Sequence, residues 1–273
     1  MFEEHTSAMD MREWIPTDMD GRLSLRRFQR DSGAAHPGSN GVGAVRWSAA
    51  EAEAQIEAVV DAHRRRGLGF TWYVGPLDTP ADLRARLEQH GLVLAGEAAM
   101  MARLGLDDLE AVPVNPDLTI EAVDGTAAEP LEAALRVAAV AFHLTEEQVA
   151  EWRATLVERA NDPRVRDAEM NYLARLAGQP AGLARLTLRA GLAYLGGAGT
   201  LPEYRGQKVY STLLRRRLET ARERGYHLAA IHAEPMSRRV VARYGFKEYA
   251  RTYVYAWMPV IDLDVIRSLV PDE

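Results

Sequence analysis

The stretch from Ala193 to Arg224 constrains this chain most. It reads Ala-Tyr-Leu-Gly-Gly-Ala-Gly-Thr-Leu-Pro-Glu-Tyr-Arg-Gly-Gln-Lys-Val-Tyr-Ser-Thr-Leu-Leu and continues into an arginine-rich segment. An apolar, glycine-loosened strand runs to Pro202, a short turn carries Glu203 to Gln207, and from about Lys208 the apolar residues fall at helical spacing. Val209, Leu213, Leu214, Leu218 and Ala221 define one face of that helix, Arg215, Arg216 and Arg217 are expected on the other, and Gly225 stops it. The first-turn amides of such a helix have no partner within it, and its dipole favours negative charge there. The Arg205 to Tyr210 turn therefore reads as a phosphate cradle.

The order of residues adds more. Pro-Glu-Tyr-Arg-Gly (202–206), then Val-Tyr and Leu-Leu, an amphipathic helix ending Ala-Arg-Glu-Arg-Gly, a strand at Leu228 to His232, a helix, and Tyr244-Gly245-Phe246 together resemble the GCN5-related N-acetyltransferase (GNAT) family over about Leu118 to Trp257. The resemblance implies an α/β fold with a mixed sheet flanked by helices. Two central strands splay apart so that acyl-coenzyme A lies between them, with its pyrophosphate on the turn. It further implies that the backbone of Gly199, Thr200 and Leu201 binds pantetheine and polarises the thioester carbonyl. Arg205, Gly206, Gln207, Lys208, Val209 and Tyr210 would cradle the pyrophosphate, and Ser237 joins the cofactor set.

Three positions depart from the family pattern. Lys208 and Tyr210 stand where small residues are usual, and Val241 stands where most members carry a tyrosine that protonates the departing thiolate. Tyr244, one helical turn further on, is the candidate acid. His232 and Glu234 are the candidate bases, since an imidazole near its ordinary pKa suits that task. The implied activity is acetyl transfer from acetyl-coenzyme A to a primary amine of a small molecule or peptide, by direct attack within a ternary complex and without a metal. An acyl-coenzyme A binding pseudoenzyme and a scaffold that has lost the cofactor are the alternatives.

Composition bounds the partners. The 33 basic and 39 acidic residues give a net charge of -6, which argues against a general nucleic-acid or membrane-surface binder. There are no cysteines, hence no disulfides or thiolate metal sites, and no apolar run of membrane-spanning length. Met1 to Asp20 is acidic and polar without an apolar signal core. The expectation is a cytoplasmic protein, and a homo-oligomer stays open.

In the first half, Leu23, Leu25 and Phe28 form a short apolar pattern, and the glycine-rich run through Gly38 to Gly43 reads as a mobile connection. Ser48 and Glu51 cap a helix whose buried face is Ala52, Ile56, Val59 and Val60. Phe70 to Val74 is a strand, Thr79-Pro80 opens a second helix that Gly91 closes, and Leu92 to Leu94 with Ala98 to Leu106 suit a strand or hairpin. Arg86 to Leu92 followed by Ala98 to Arg103 parallels Arg239 to Phe246 followed by Tyr253 to Trp257, yet no cofactor turn precedes the first copy. The expected organisation is a degenerate GNAT-like domain at 1–110, a linker at 111–117, a GNAT domain at 118–260 and a tail at 261–273. Within the second domain, a helix pair at Pro130 to Phe142 and Thr145 to Ala160 would cover the acceptor site, with Phe142 and Trp152 packed and His143 solvated.

Overall fold

The computed structural model describes residues 28–30, 37–263 and 265–266; the first twenty residues, Leu23, Leu25 and the end of the tail lie outside them. The elements in chain order begin β1 (Phe28–Arg30), β2 (Gly41–Gly43), α1 (Ala49–Arg66), β3 (Phe70–Val74), α2 (Leu83–Gln89) and β4 (Val93–Leu104). They continue with β5 (Leu118–Val123), α3 (Ala128–Ala141), α4 (Glu146–Asn161), α5 (Pro163–Arg166), β6 (Glu169–Leu176), β7 (Gln179–Arg189) and β8 (Leu192–Thr200). The last are α6 (Val209–Glu223), β9 (Leu228–Ala233), α7 (Pro235–Ala242) and β10 (Lys247–Trp257). Two compact units share them: one holds the residues up to Ala99, Glu234–Met236 and those from Ala250, the other Met100–Ala233 and Ser237–Tyr249.

In the first unit, β3 lies between β2, which it pairs in parallel, and the end of β10, which it pairs antiparallel from Tyr253↔Val74 to Trp257↔Phe70. Trp72 and Tyr255 are fully buried beside Ile56, Leu83 and Leu87. Helix α1 starts as its sequence dictates, with a reciprocal capping box between Ser48 and Glu51, and it buries Ala52, Ile56, Val59 and Val60. Two expectations change here. The Gly38 to Gly43 run is not a mobile connection: Gly41–Gly43 is a buried strand, and Asn40 anchors it by donating from Nδ2 to Gly69 O at 2.8 Å. Helix α2 starts at Leu83 rather than Pro80, because Thr79 is held against the neighbouring chain, its N–H on Val45 O at 3.0 Å and its hydroxyl on Trp47 O at 2.9 Å. Of the strand or hairpin expected over Leu92 to Leu106, the structure has the strand, β4 at Val93–Leu104.

The second unit is a meander, β5-β6-β7-β8, antiparallel throughout, with β9 added in parallel to β8. Helix α3 packs its Leu131, Ala134, Leu135 and Ala138 against Leu173 and Leu183 of the sheet, and α6 buries Val209, Leu213, Leu214, Leu218 and Ala221. Arg217 departs from its expected polar face: it is fully buried, because position 217 follows Leu213 by four residues and Leu214 by three and so falls on their face. Arg215 does not merely face water either. Its Nη1 donates to Leu109 O at 2.6 Å and to Val112 O at 3.5 Å, and Nη2 meets Glu110 Oε1 at 3.2 Å. Asn115 adds a bond from Nδ2 to Gln207 O at 3.0 Å, so the segment between β4 and β5 is fastened along α6.

Candidate active site

Strands β8 and β9 define the site by separating. Their parallel pairing covers only Leu192↔Leu228, Ala193↔Ala229 and Tyr194↔Ala230. On its other side β8 keeps β7 as far as Thr200, but the register shifts between the pairs Arg185↔Gly196 and Leu183↔Gly199, so β8 carries one residue more than β7 across this step. Gly197, in the extra length, takes φ +50, a value open to glycine. A bulge of this kind bends the strand that carries it and turns it from its former neighbour.

Beyond the bulge, the N–H of Leu201 donates to Ala181 O at 3.0 Å. The alternation of an antiparallel ladder then turns the N–H and C=O of Thr200, opposite Gly182, away from β7 and toward the side that β9 has left. Of the three backbone positions expected to meet pantetheine, Thr200 thus faces the gap, while Gly199 and Leu201 face β7. Gly199 instead allows a close approach: a Cβ on it would lie 2.6 Å from the Cβ of Ala141 at the end of α3.

The turn from β8 to α6 is tightly wound. Arg205 N–H bonds Pro202 O at 3.2 Å and Gln207 N–H bonds Tyr204 O at 3.3 Å, which commits two of the six amides expected to cradle a pyrophosphate. Gly206 has φ +77, and Lys208 takes φ +61, the left-handed conformation that a glycine would adopt without strain. The turn is therefore kept in spite of the lysine. Thr212 is the first residue whose N–H enters the helix ladder, on Lys208 O at 3.0 Å, so the α6 amides before it point out of the N-terminus. Arg205 and Lys208 are exposed there, and neither is in an ion pair among the described residues.

On the face of the sheet away from α6, the hydroxyl of Tyr194 is 2.9 Å from His232 Nδ1, with the two rings edge to face at 5.8 Å. Parallel register brings them together, since Tyr194 pairs with Ala230 and His232 lies two residues on, hence on the same face. Burial raises the phenol above its usual pKa, offset in part by the Arg185 guanidinium, and burial pulls the imidazole down to about 4. Both groups are neutral at pH 7, so His232 does not titrate near its ordinary value as expected. Sequence reading missed Tyr194, whose partner only the register between β8 and β9 reveals.

Glu234 belongs to the first compact unit; it is exposed, and partial loss of water raises its carboxyl pKa. Ser237 is half-buried in the first turns of α7. Val241 is fully buried, whereas Tyr244 follows the end of α7, half-buried, with its carbonyl accepting from Arg103 Nη1 at 2.8 Å. Phe142 and Trp152 pack with ring centroids 5.6 Å apart beside Leu144, Val149, Leu156 and Leu201, all half-buried, and His143 is exposed. Among the described residues no group of three or more His, Cys, Asp or Glu could hold a metal ion, and no helix is long and apolar enough to cross a membrane.

A separating strand pair followed by a helix N-terminus is the architecture of a GNAT fold, and comparison agrees. Residues 137–246 match the model of the acetyltransferase (GNAT) family. Among solved structures, the chain is similar to a GCN5-related N-acetyltransferase from Kribbella flavida, at 20% identity and TM-score 0.65, over 86% of this chain and 88% of that one. It is also similar to a GCN5-related N-acetyltransferase from Sphaerobacter thermophilus, at 17% identity and TM-score 0.64, over 86% and 78%. A tandem GNAT protein from the clavulanic acid biosynthesis pathway shares the fold at 17% identity and TM-score 0.55, over 81% and 76%. No curated protein matches the chain in sequence.

Proposed function

We propose that this protein is an acyl-coenzyme A-dependent N-acetyltransferase that delivers acetyl to a primary amine of a small molecule or peptide by direct attack in a ternary complex. The parting of β8 from β9 after Tyr194 and Ala230 carries the reading, because it opens backbone groups of the sheet beside a helix N-terminus. The residues present suit coenzyme A. The α6 amides with Arg205 and Lys208 would hold the pyrophosphate, and the N–H and C=O of Thr200 would meet the amides of pantetheine. When bound, acetyl-coenzyme A supplies an acetyl group activated as a thioester.

The chain's own groups then handle protons and charge. In the tautomer that carries its proton on Nδ1, donated to the Tyr194 oxygen, His232 would act through Nε2 as a base for the incoming amine. Its low proton affinity means that it acts on an amine already near attack rather than storing a proton. Tyr194 orients the ring, and Tyr244 is the nearest tyrosine to the position of the usual acid. Glu234, at the end of β9, is the alternative base. The first half, 1–110, serves as a structural partner without its own cofactor turn, the domain at 118–260 carries the chemistry, and the protein works in the cytoplasm.

Binding and turnover are tested separately. Titration with coenzyme A should show one site, weakened sharply by Arg205→Glu, and thiol release from acetyl-coenzyme A over an amine library should show turnover that Tyr194→Phe with His232→Gln lowers. Binding without thiol release from any amine would favour a second reading, a coenzyme A-binding protein without turnover, which the burial of Val241 supports.

A further inference from the structure

Two arginines of the second unit are enclosed, and they differ in company. Arg159 meets Glu169, with Nη1 2.6 Å from Oε2. Arg217 is more deeply buried and has no carboxylate partner among the described residues. Each of its hydrogen bonds goes to the main chain: Nε donates to Leu213 O at 3.3 Å, and Nη1 to Arg185 O at 3.2 Å and to Gly196 O at 3.4 Å. Nη2 has no partner.

A cation enclosed without a counter-charge is costly, and an apolar side chain would pack beside Leu213, Leu214, Leu218 and Ala221 without that cost. The two carbonyls it reaches in the sheet say what the arginine supplies. Arg185 and Gly196 are the last matched pair of β7 and β8 before the register shift, the step at which a bulge disrupts the regular ladder. A planar guanidinium can bond both carbonyls from one nitrogen while Nε fixes the group to its own helix.

We propose that Arg217 is a positioning residue that locks the β7–β8 bulge from the α6 side, and so sets the parting of β8 from β9 and the direction of the Thr200 backbone. Its charge also lies under the strand beside which negative charge develops on a thioester oxygen, where a fixed cation in a water-poor setting is most effective. The consequence for turnover rests on the acetyltransferase reading; the consequence for the bulge does not.

Arg217→Met tests this, read by thermal melting, by hydrogen exchange resolved to Gly197–Thr200, and by kcat with acetyl-coenzyme A and an accepted amine. The expected result is an unchanged or higher Tm, with exchange at Gly197–Thr200 faster by about tenfold or more and kcat lower by about tenfold or more. Arg217→Lys, whose single ammonium lacks the fork, should recover part of both and keeps the test available if the methionine variant does not fold. Unchanged exchange at Gly197–Thr200 in a folded variant overturns the proposal. So does a lower Tm with exchange quickened evenly over β6, β7 and α6, which marks a purely structural arginine. If the wild type transfers no acetyl, the exchange measurement still decides the bulge, and only the function reading falls.

Discussion

At His232 the loss of water around the imidazole has a measurable pH signature. Its folded pKa of about 4 lies below the ordinary value of 6.5, so between these values the unfolded chain binds a proton that the folded chain refuses. Stability is therefore complete above pH 6.5 and drains as pH falls toward 4, by at most roughly 3 kcal/mol. Denaturant titrations of the wild type and His232→Gln at pH 7.5 and 5 should differ in slope with pH; parallel curves would remove the claim. Val241 carries a second expectation. From the family pattern, Val241→Tyr looks like a restored acid, but the side chain is fully buried, so the phenol should overpack the core at a cost of about 1–3 kcal/mol and lower turnover. A stable Val241→Tyr protein with faster thiol release would refute this. The sequence shows which residue types are present at 194, 217, 232 and 241. It cannot show that 194 and 232 meet, which depends on strand register, whereas the inward turn of 217 was legible in its spacing from Leu213 and Leu214 and was masked by the run of arginines around it.

Elements with strong local signals were readable in advance. Helix α1 announces itself by Ser48 and Glu51, and the β8-turn-α6 unit by its glycines and apolar spacing. What the sequence hid was set by distant partners: β2 is a strand because its Gly-Val-Gly backbone pairs with β3, although its composition is that of a loop. Two further outcomes belong to this scale. Gly199→Ala should push α3 from β8, since the new methyl would meet Ala141, with a loss of about 1–3 kcal/mol in denaturant titration; unchanged stability would show that α3 yields freely. Lys208→Gly should relieve the left-handed turn by up to about 1 kcal/mol and weaken coenzyme A binding as a cation is lost. Tighter binding by calorimetry would instead mean that the lysine side chain obstructs the cradle.

At the scale of the molecule, the boundaries suggested by composition and the compact units are drawn differently. The proline-containing segment at 111–117 resembles a linker, yet Arg215 and Asn115 bind it along α6, and residues from Ala250 onward join the first unit through the pairing of β10 with β3. A chain beginning near Pro116 would keep Tyr255 and Trp257 but lose the strand and core that bury them. It should aggregate or melt without cooperativity, and a sharp melt with unchanged coenzyme A affinity would show that the second half is self-sufficient.

The same pairing dictates an order of events during synthesis. Residues 70–74 leave the ribosome long before residues 253–257 have been made, a wait of roughly ten seconds or more at ordinary elongation rates. Throughout that wait β3 has β2 on one side and no β10 on the other. The half of the protein that is translated first is thus the half that must be completed last, and the nascent chain needs a means of keeping Phe70 and Trp72 from wrong partners until its final strand arrives.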